Sequence, residues 1–154
     1  MTKRTIILFA GLMIIFIISC GSYFYSECYK FNFTNKELIE RIKTLKQDNP
    51  NLKVMGTNEK GECVEKIDKK DKIGMFYCIS FQLRINLTVN CVINLSKSGS
   101  ESSSIIQLTA VSFNKRRTQW KEINSNEISM RQNTKIIKMF ETEILDKLGK
   151  WEHA

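Results

Sequence analysis

The chain has 154 residues and a formal net charge of +8, from 24 lysines and arginines against 16 acidic residues. This length allows one domain with a substantial core. The excess of positive charge favours anionic lipids, cell-wall polymers or an acidic protein as partners. His153 is the single histidine, and the seven glycines are scattered. These counts argue against a histidine-based catalytic triad and a glycine-rich phosphate loop.

The first feature along the chain is an apolar run at Thr5–Ile18, which carries no charge and follows Lys3 and Arg4. As a helix it would extend roughly 21 Å, against about 30 Å of bilayer hydrocarbon. It is therefore shorter than an ordinary permanent span and is typical of the core of an export signal. Because flanking basic residues stay in the cytoplasm, the rest of the chain is expected outside it.

The run ends in Ile17-Ile18-Ser19-Cys20: a branched aliphatic residue, a tolerant position, a small residue and a cysteine. This tetrapeptide resembles the lipobox of bacterial lipoproteins. The resemblance implies that residues 1–19 are a cleaved signal peptide and that acyl chains such as palmitate are attached to Cys20. Residues 20–33 would then be a lipidated tether. Gly21, where an aspartate would signal inner-membrane retention, favours the outer membrane.

Two other interpretations of this segment stay open. It could be an uncleaved signal anchor, extended through Tyr25 to about 20 residues. It could also be a signal peptide that is cleaved without lipid attachment, although the Ala-x-Ala pattern of such sites is missing.

The four remaining cysteines are Cys28, Cys63, Cys78 and Cys91. An even number in an exported domain predicts two disulfides, with three possible pairings. A hairpin turn centred between Lys70 and Asp71 would place Cys63 opposite Cys78, which leaves Cys28 to pair with Cys91.

The first helix is predicted over residues 35–48. Thr34 and Glu37 have the spacing of a capping box, and apolar residues follow at helical intervals until Pro50. Weak strand patterns follow at 51–57 and 62–67, and 68–72 reads as a charged turn. Strict alternation then predicts strands at 75–85 and 87–95, joined near Asn86 by a tight turn or a bulge. The face of the first strand expected to point into the core carries Met75, Tyr77, Ile79, Phe81, Leu83 and Ile85.

A flexible loop at 97–103 precedes a β-branched strand at 104–113, and the last helix is predicted from Asn126 to Leu148, with Gly149 just past its end. Consecutive strands joined by short loops favour an antiparallel sheet. The predicted fold class is α+β. Four to five antiparallel strands would carry an N-terminal and a C-terminal helix on one face, as a two-layer sandwich. Residues 34–154 would form this single domain.

The densest basic cluster of the exported part contains Lys115, Arg116 and Arg117, followed by Trp120. Arginine beside an aromatic residue is favoured at protein–protein hot spots, so these four residues are the predicted partner-binding residues. No spacing of cysteine, histidine or carboxylate indicates a metal site. No catalytic residue and no cofactor are expected.

These features predict a membrane-anchored, extracytoplasmic bacterial lipoprotein that acts as a non-catalytic protein-binding module and faces the periplasm. A toxin-neutralising immunity protein or an enzyme inhibitor has this general form. The expected partner is an acidic protein, not nucleic acid. The alternative is a structural or assembly subunit of an envelope or secretion complex, which would bind through a sheet face or edge.

Overall fold

The computed structural model describes residues 26–57, 63–66, 68–95, 102–114, 117 and 119–154, with the backbone alone of Thr57 and Cys63. The expected signal peptide, Cys20 and the first part of the tether lie outside these residues. Lys115, Arg116 and most of the loop expected at 97–103 also lie outside them. No helix in the described part of the chain is long and apolar enough to cross a bilayer.

The described residues form a mixed α+β fold around a large antiparallel sheet, which confirms the predicted fold class at that level. The main sheet contains β1 Glu27–Phe31, β4 Lys69–Lys70, β5 Phe76–Arg84, β6 Leu87–Asn94, β7 Ser104–Ser112, β8 Lys121–Glu122 and β9 Trp151–His153. Its order is β4-β5-β6-β7-β1-β9, with β8 beside the end of β7. A separate hairpin pairs β2 Met55–Thr57 with β3 Cys63–Glu65.

The main sheet therefore has seven strands among the described residues, more than the four to five predicted. Three of them escape a periodicity analysis because β4, β8 and β9 are only two or three residues long. A fourth, β1, lies in the stretch assigned to the tether. Tyr29 and Phe31 of β1 are fully buried, so the domain includes residues that precede position 34.

Helix α1, Asn35–Asp48, begins where Thr34 Oγ1 accepts the backbone N–H of Glu37 at 3.1 Å. The reciprocal half of the capping box is replaced, because the Glu37 carboxylate pairs with Arg41 one turn later. Leu38, Ile42 and Leu45 form the buried stripe of α1.

One sheet face forms the core together with the helices. The buried residues of this face are Ile79, Phe81 and Leu83 of β5, Val89, Cys91 and Ile93 of β6, and Ile106, Leu108 and Val111 of β7. The alternating pattern along β5 predicted that Ile79, Phe81 and Leu83 would face the core. Met75 and Ile85 were expected in the same set but are exposed, because they lie in turns just outside β5. The β5–β6 junction is a two-residue turn, Ile85-Asn86, preceded by a register shift between Gln82 and Arg84.

Helix α2, Met130–Phe140, begins four residues later than predicted, with Ser129 as its N-cap. It continues as a π-helical segment, Glu141–Leu145, and ends with the turn Asp146–Leu148. Gly149 follows with φ +144°, and a Cβ placed there would lie 3.0 Å from Nη1 of Arg41. This position therefore needs glycine for both backbone conformation and space.

Antiparallel pairing fixes which strand ends lie together. The β5–β6 turn and the end of β7 share one end of the sheet. We call it the entry end, because β1 leads away from it; the first residue of β1, Glu27, lies level with Leu108, Cys91 and Ile79. The β4–β5 turn lies at the opposite, far end. Since β5 has nine residues, the two ends are roughly 30 Å apart.

Candidate partner-binding surface

A buried ion pair holds the segment that leads into β4. Lys46, near the end of α1, is only 5% exposed. Its Nζ lies 2.5 Å from Oδ2 of Asp68 and donates to the carbonyl oxygen of Ser80 at 2.8 Å. The other carboxylate oxygen of Asp68 accepts the Ser80 backbone N–H at 3.1 Å. Because both charges are paired and shielded from water, losing either partner would leave a costly unpaired charge.

Beyond Asp68 the chain forms what we call the basic corner: Lys69, Lys70, Lys72, Ile73 and Met75. The two strand lysines lie on the outermost strand of the sheet, where charged side chains also prevent edge-to-edge aggregation. Ile73 is 79% exposed and Met75 is also exposed. The corner thus combines three positive charges with an apolar tip at the far end of the sheet.

The turn that presents this tip is closed by specific hydrogen bonds. Asp71 Oδ1 accepts the backbone N–H of Phe76 at 3.0 Å, and the Asp71 N–H donates to the Phe76 carbonyl oxygen at 2.8 Å. Gly74 adopts φ +76°, which glycine tolerates, and its N–H donates to the Asp71 carbonyl oxygen at 3.1 Å. Ile73 is therefore exposed on a defined turn.

A groove of about 380 Å³ runs from the basic corner to the start of α1. Its walls are formed by Asn35, Lys36, Ile39, Glu40, Lys70, Tyr77 and Leu95, and the Glu40 carboxylate is paired with Lys43. The Tyr77 hydroxyl donates to the Asp68 carbonyl oxygen at 3.3 Å. Partial burial, followed by the nearby Asp68 charge, raises the pKa of Tyr77. The groove thus offers aromatic and aliphatic surface between two lysines.

Most other basic groups near this region already have acidic partners. Lys30, Lys43, Lys53, Arg41 and Arg84 each pair with a glutamate. Among the described residues no ion pair involves Lys36, Lys69, Lys70 or Lys72, nor Arg131, Lys135 and Lys138 on α2. Unpaired basic groups thus include a cluster at the far end and a row on the outer side of α2; Lys66, Lys121, Lys147 and Lys150 are likewise in no ion pair among the described residues.

Of the four predicted partner-binding residues, the structure describes Arg117 and Trp120. Arg117 has φ +53° and its guanidinium binds within the domain: Nε donates to Thr88 Oγ1 at 3.1 Å, Nη2 to Gln82 Oε1 at 2.9 Å, and Nη1 to the Met55 carbonyl oxygen. It joins the polar sheet face to the β2–β3 hairpin. Trp120 is half-buried, with Lys66 Nζ 5.9 Å from its ring centre.

The basic corner was missed because residues 68–72 read as a solvated charged turn. The available signal was Ile73, a single apolar residue that directly follows five charged residues, 68–72. Neither the edge position of β4 nor the ordered turn is visible in the sequence, since both depend on tertiary pairing.

Neither predicted disulfide forms. Cys78 and Cys91 are both free thiols. The sheet register explains the error: Lys69, and not Cys63, lies opposite Cys78, while Cys28 lies opposite Gln107 on β7. Cys91 faces the core on β6. Cys28 is disulfide-bonded, and because Cys91 is free its partner is not the predicted one.

The remaining reactive groups do not converge on one centre. Burial and then the Asp71 charge raise the pKa of Cys78, and burial raises that of Cys91 well above its usual value, which lowers thiolate reactivity. Tyr29, whose pKa is raised by burial and then by Glu141, donates to the Glu141 carboxylate at 3.3 Å. His153 lies 3.8 Å from that carboxylate but is exposed. No group of three metal-ligating side chains occurs in the described ranges.

No protein-family model, no curated protein and no solved structure matches this chain.

Proposed function

We propose that this chain is an exported, membrane-anchored and non-catalytic binding module whose partner is an acidic protein. In the lipoprotein form of the proposal, Cys20 carries the lipid and the domain lies in the periplasm at the outer membrane. Neutralising a toxin or inhibiting an enzyme by covering its acidic surface fits a small domain of this kind.

The observation that carries the proposal is the position of the basic corner relative to β1. The chain that leads to the anchor enters the sheet at β1. The basic corner lies at the edge strand β4, four strand positions from β1 and about 19 Å across the sheet. An anchored domain can therefore present Lys69, Lys70 and Lys72 at an edge distant from the anchored segment, where another protein can reach them.

The chemistry of the corner fits an acidic partner. Long-range attraction between a positive and a negative surface raises association rates, and the lysines supply it. Ile73 and the Tyr77 groove supply apolar area that becomes buried on contact. A stable complex needs about 800 Å² on each partner, so contacts must extend from the tip along the groove to α1.

The test uses the full chain, tagged and extracted from its native envelope in mild detergent. One variant reverses the corner charges by Lys69→Glu, Lys70→Glu and Lys72→Glu. The matched control reverses three charges elsewhere, by Lys121→Glu, Lys147→Glu and Lys150→Glu.

An acidic protein should be recovered with the wild type and the control variant. At least a tenfold loss is expected with the corner variant, and recovery should fall as salt is raised. Equal recovery by all three chains would refute the assignment of the corner. A defined homo-oligomer in place of a second protein would support the assembly-subunit alternative.

A further inference from the structure

A second exposed surface lies at the entry end of the sheet. Ile85 is 81% exposed in the β5–β6 turn, and Phe113, directly after β7, is also exposed. Met130, the first residue of α2, is 86% exposed. Helix α2 starts toward this end because it runs toward the far end: Phe140 packs on Phe81 of β5, and Gly149, just past the helix, lies beside Phe33, which follows β1.

Turn geometry does not explain an isoleucine at position 85. The turn residues are Ile85 and Asn86, between the paired residues Arg84 and Leu87. Two-residue hairpin turns favour glycine, asparagine and aspartate, and a β-branched apolar residue has no local advantage there. The Ile85 side chain also contributes nothing to the core, because most of it faces solvent.

Positive charge accompanies these apolar tips. Arg131, Lys135 and Lys138 follow Met130 at helical spacing and are all exposed. As described above, they have no ion-pair partner among the described residues. Anionic lipid headgroups attract basic groups held near the bilayer surface, while apolar tips enter the interfacial region.

The length of chain before the sheet limits where this surface can be. Eight residues, 19–26, separate the end of the apolar run at Ile18 from Glu27. Fully extended, they reach at most roughly 28 Å. Glu27 lies level with Ile79, five residues or roughly 17 Å from the entry end of β5, so an anchor formed by that run, or by lipid on Cys20, lets the entry end reach the bilayer.

We propose that the entry end docks on the anionic lipid surface through Ile85, Phe113 and Met130, with Arg131, Lys135 and Lys138 bound to headgroups. The domain would then be oriented on the bilayer, with the basic corner projecting outward. This inference rests on the membrane anchoring in the proposed function, but not on the identity of the protein partner.

The test is depth-dependent quenching of tryptophan fluorescence. The full chain is reconstituted into vesicles of phosphatidylethanolamine and phosphatidylglycerol that contain brominated lipid. Three variants each add one reporter: Ile85→Trp and Met130→Trp at the entry end, and Ile73→Trp as the far-end control. All three sites are exposed, so the fold should tolerate each substitution. The wild-type signal from Trp120 and Trp151 is subtracted.

The added emission at positions 85 and 130 should be quenched at least twofold, and that at position 73 should not change. Replacing phosphatidylglycerol by phosphatidylcholine, or introducing Arg131→Gln, Lys135→Gln and Lys138→Gln, should reduce the quenching at position 85. Chains that float with the vesicles but show no quenching at 85 and 130, or equal quenching at 73, would overturn the docking while leaving the anchoring intact. Failure to float with vesicles would overturn the anchoring itself and this inference with it.

Discussion

The ion pair between Lys46 and Asp68 gives the most quantitative prediction. Asp68→Ala would leave the Lys46 ammonium buried beside the Phe81 ring without its counter-charge. Removing one partner of a buried pair costs about 3–5 kcal/mol. The Ser80 N–H also loses its contact with the Asp68 carboxylate.

For a domain of this size each kcal/mol lowers the melting temperature by roughly 2–4 °C. Asp68→Ala should therefore lower it by roughly 6–20 °C. Lys46→Met should cost less, because methionine fills the apolar part of the site and the Asp68 carboxylate can hydrate more easily at the surface. The double variant should be more stable than the sum of the single effects predicts, with a coupling energy of about 1–3 kcal/mol.

Urea denaturation followed by circular dichroism measures all four chains of this cycle. A cost below about 1 kcal/mol for Asp68→Ala, or strictly additive single effects, would show that the pair is solvated in solution. The contact that fixes β4 and the basic corner would then be wrong.

Three further predictions concern single groups. Thiol-specific labelling with peptide mapping should modify Cys78 in the native protein and Cys91 only after unfolding, and rapid native labelling of Cys91 would contradict its place in the core. Gly149→Ala should destabilise the fold by about 1 kcal/mol or more, whereas Gly56→Ala, whose new Cβ meets only a carbonyl oxygen at 4.0 Å, should change stability by less than about 0.5 kcal/mol. Because burial raises the pKa of Tyr29, the fold keeps it neutral at a pH where an unfolded tyrosine ionises. The contribution of Tyr29 to the free energy of unfolding should be complete below about pH 10 and fall above it by up to about 1.4 kcal/mol per pH unit. Urea titrations at pH 9 and 11 should show a smaller decrease in the free energy of unfolding for Tyr29→Phe than for the wild type.

Local signals in the sequence located the regular elements. Thr34 marked the start of α1, and the alternation around Phe81 identified both β5 and its core face. Strand β1 was missed because its five residues precede the helix and pair with β7, 73 or more positions away in the chain. No local pattern encodes such pairing.

The candidate site was less accessible to sequence reasoning. The arginine–aromatic cluster suggested a binding surface, but Arg117 contacts Thr88 and Gln82 on a sheet face that only the folded structure brings beneath it. The disulfide prediction placed the hairpin turn between Lys70 and Asp71. In the structure Lys69 lies opposite Cys78 and Lys70 opposite Tyr77, so the turn is centred three residues later and Cys63 is out of register with Cys78.

The central claim is that the far end of the domain meets a protein partner while the entry end faces the membrane. The most direct measurement places a photo-crosslinking amino acid at position 73 or, in a second full-length chain, at position 85, and irradiates intact cells. A single acidic protein attached at position 73 and absent at position 85 is the predicted result. The same protein attached equally at both positions, or attached only at position 85, would contradict the account.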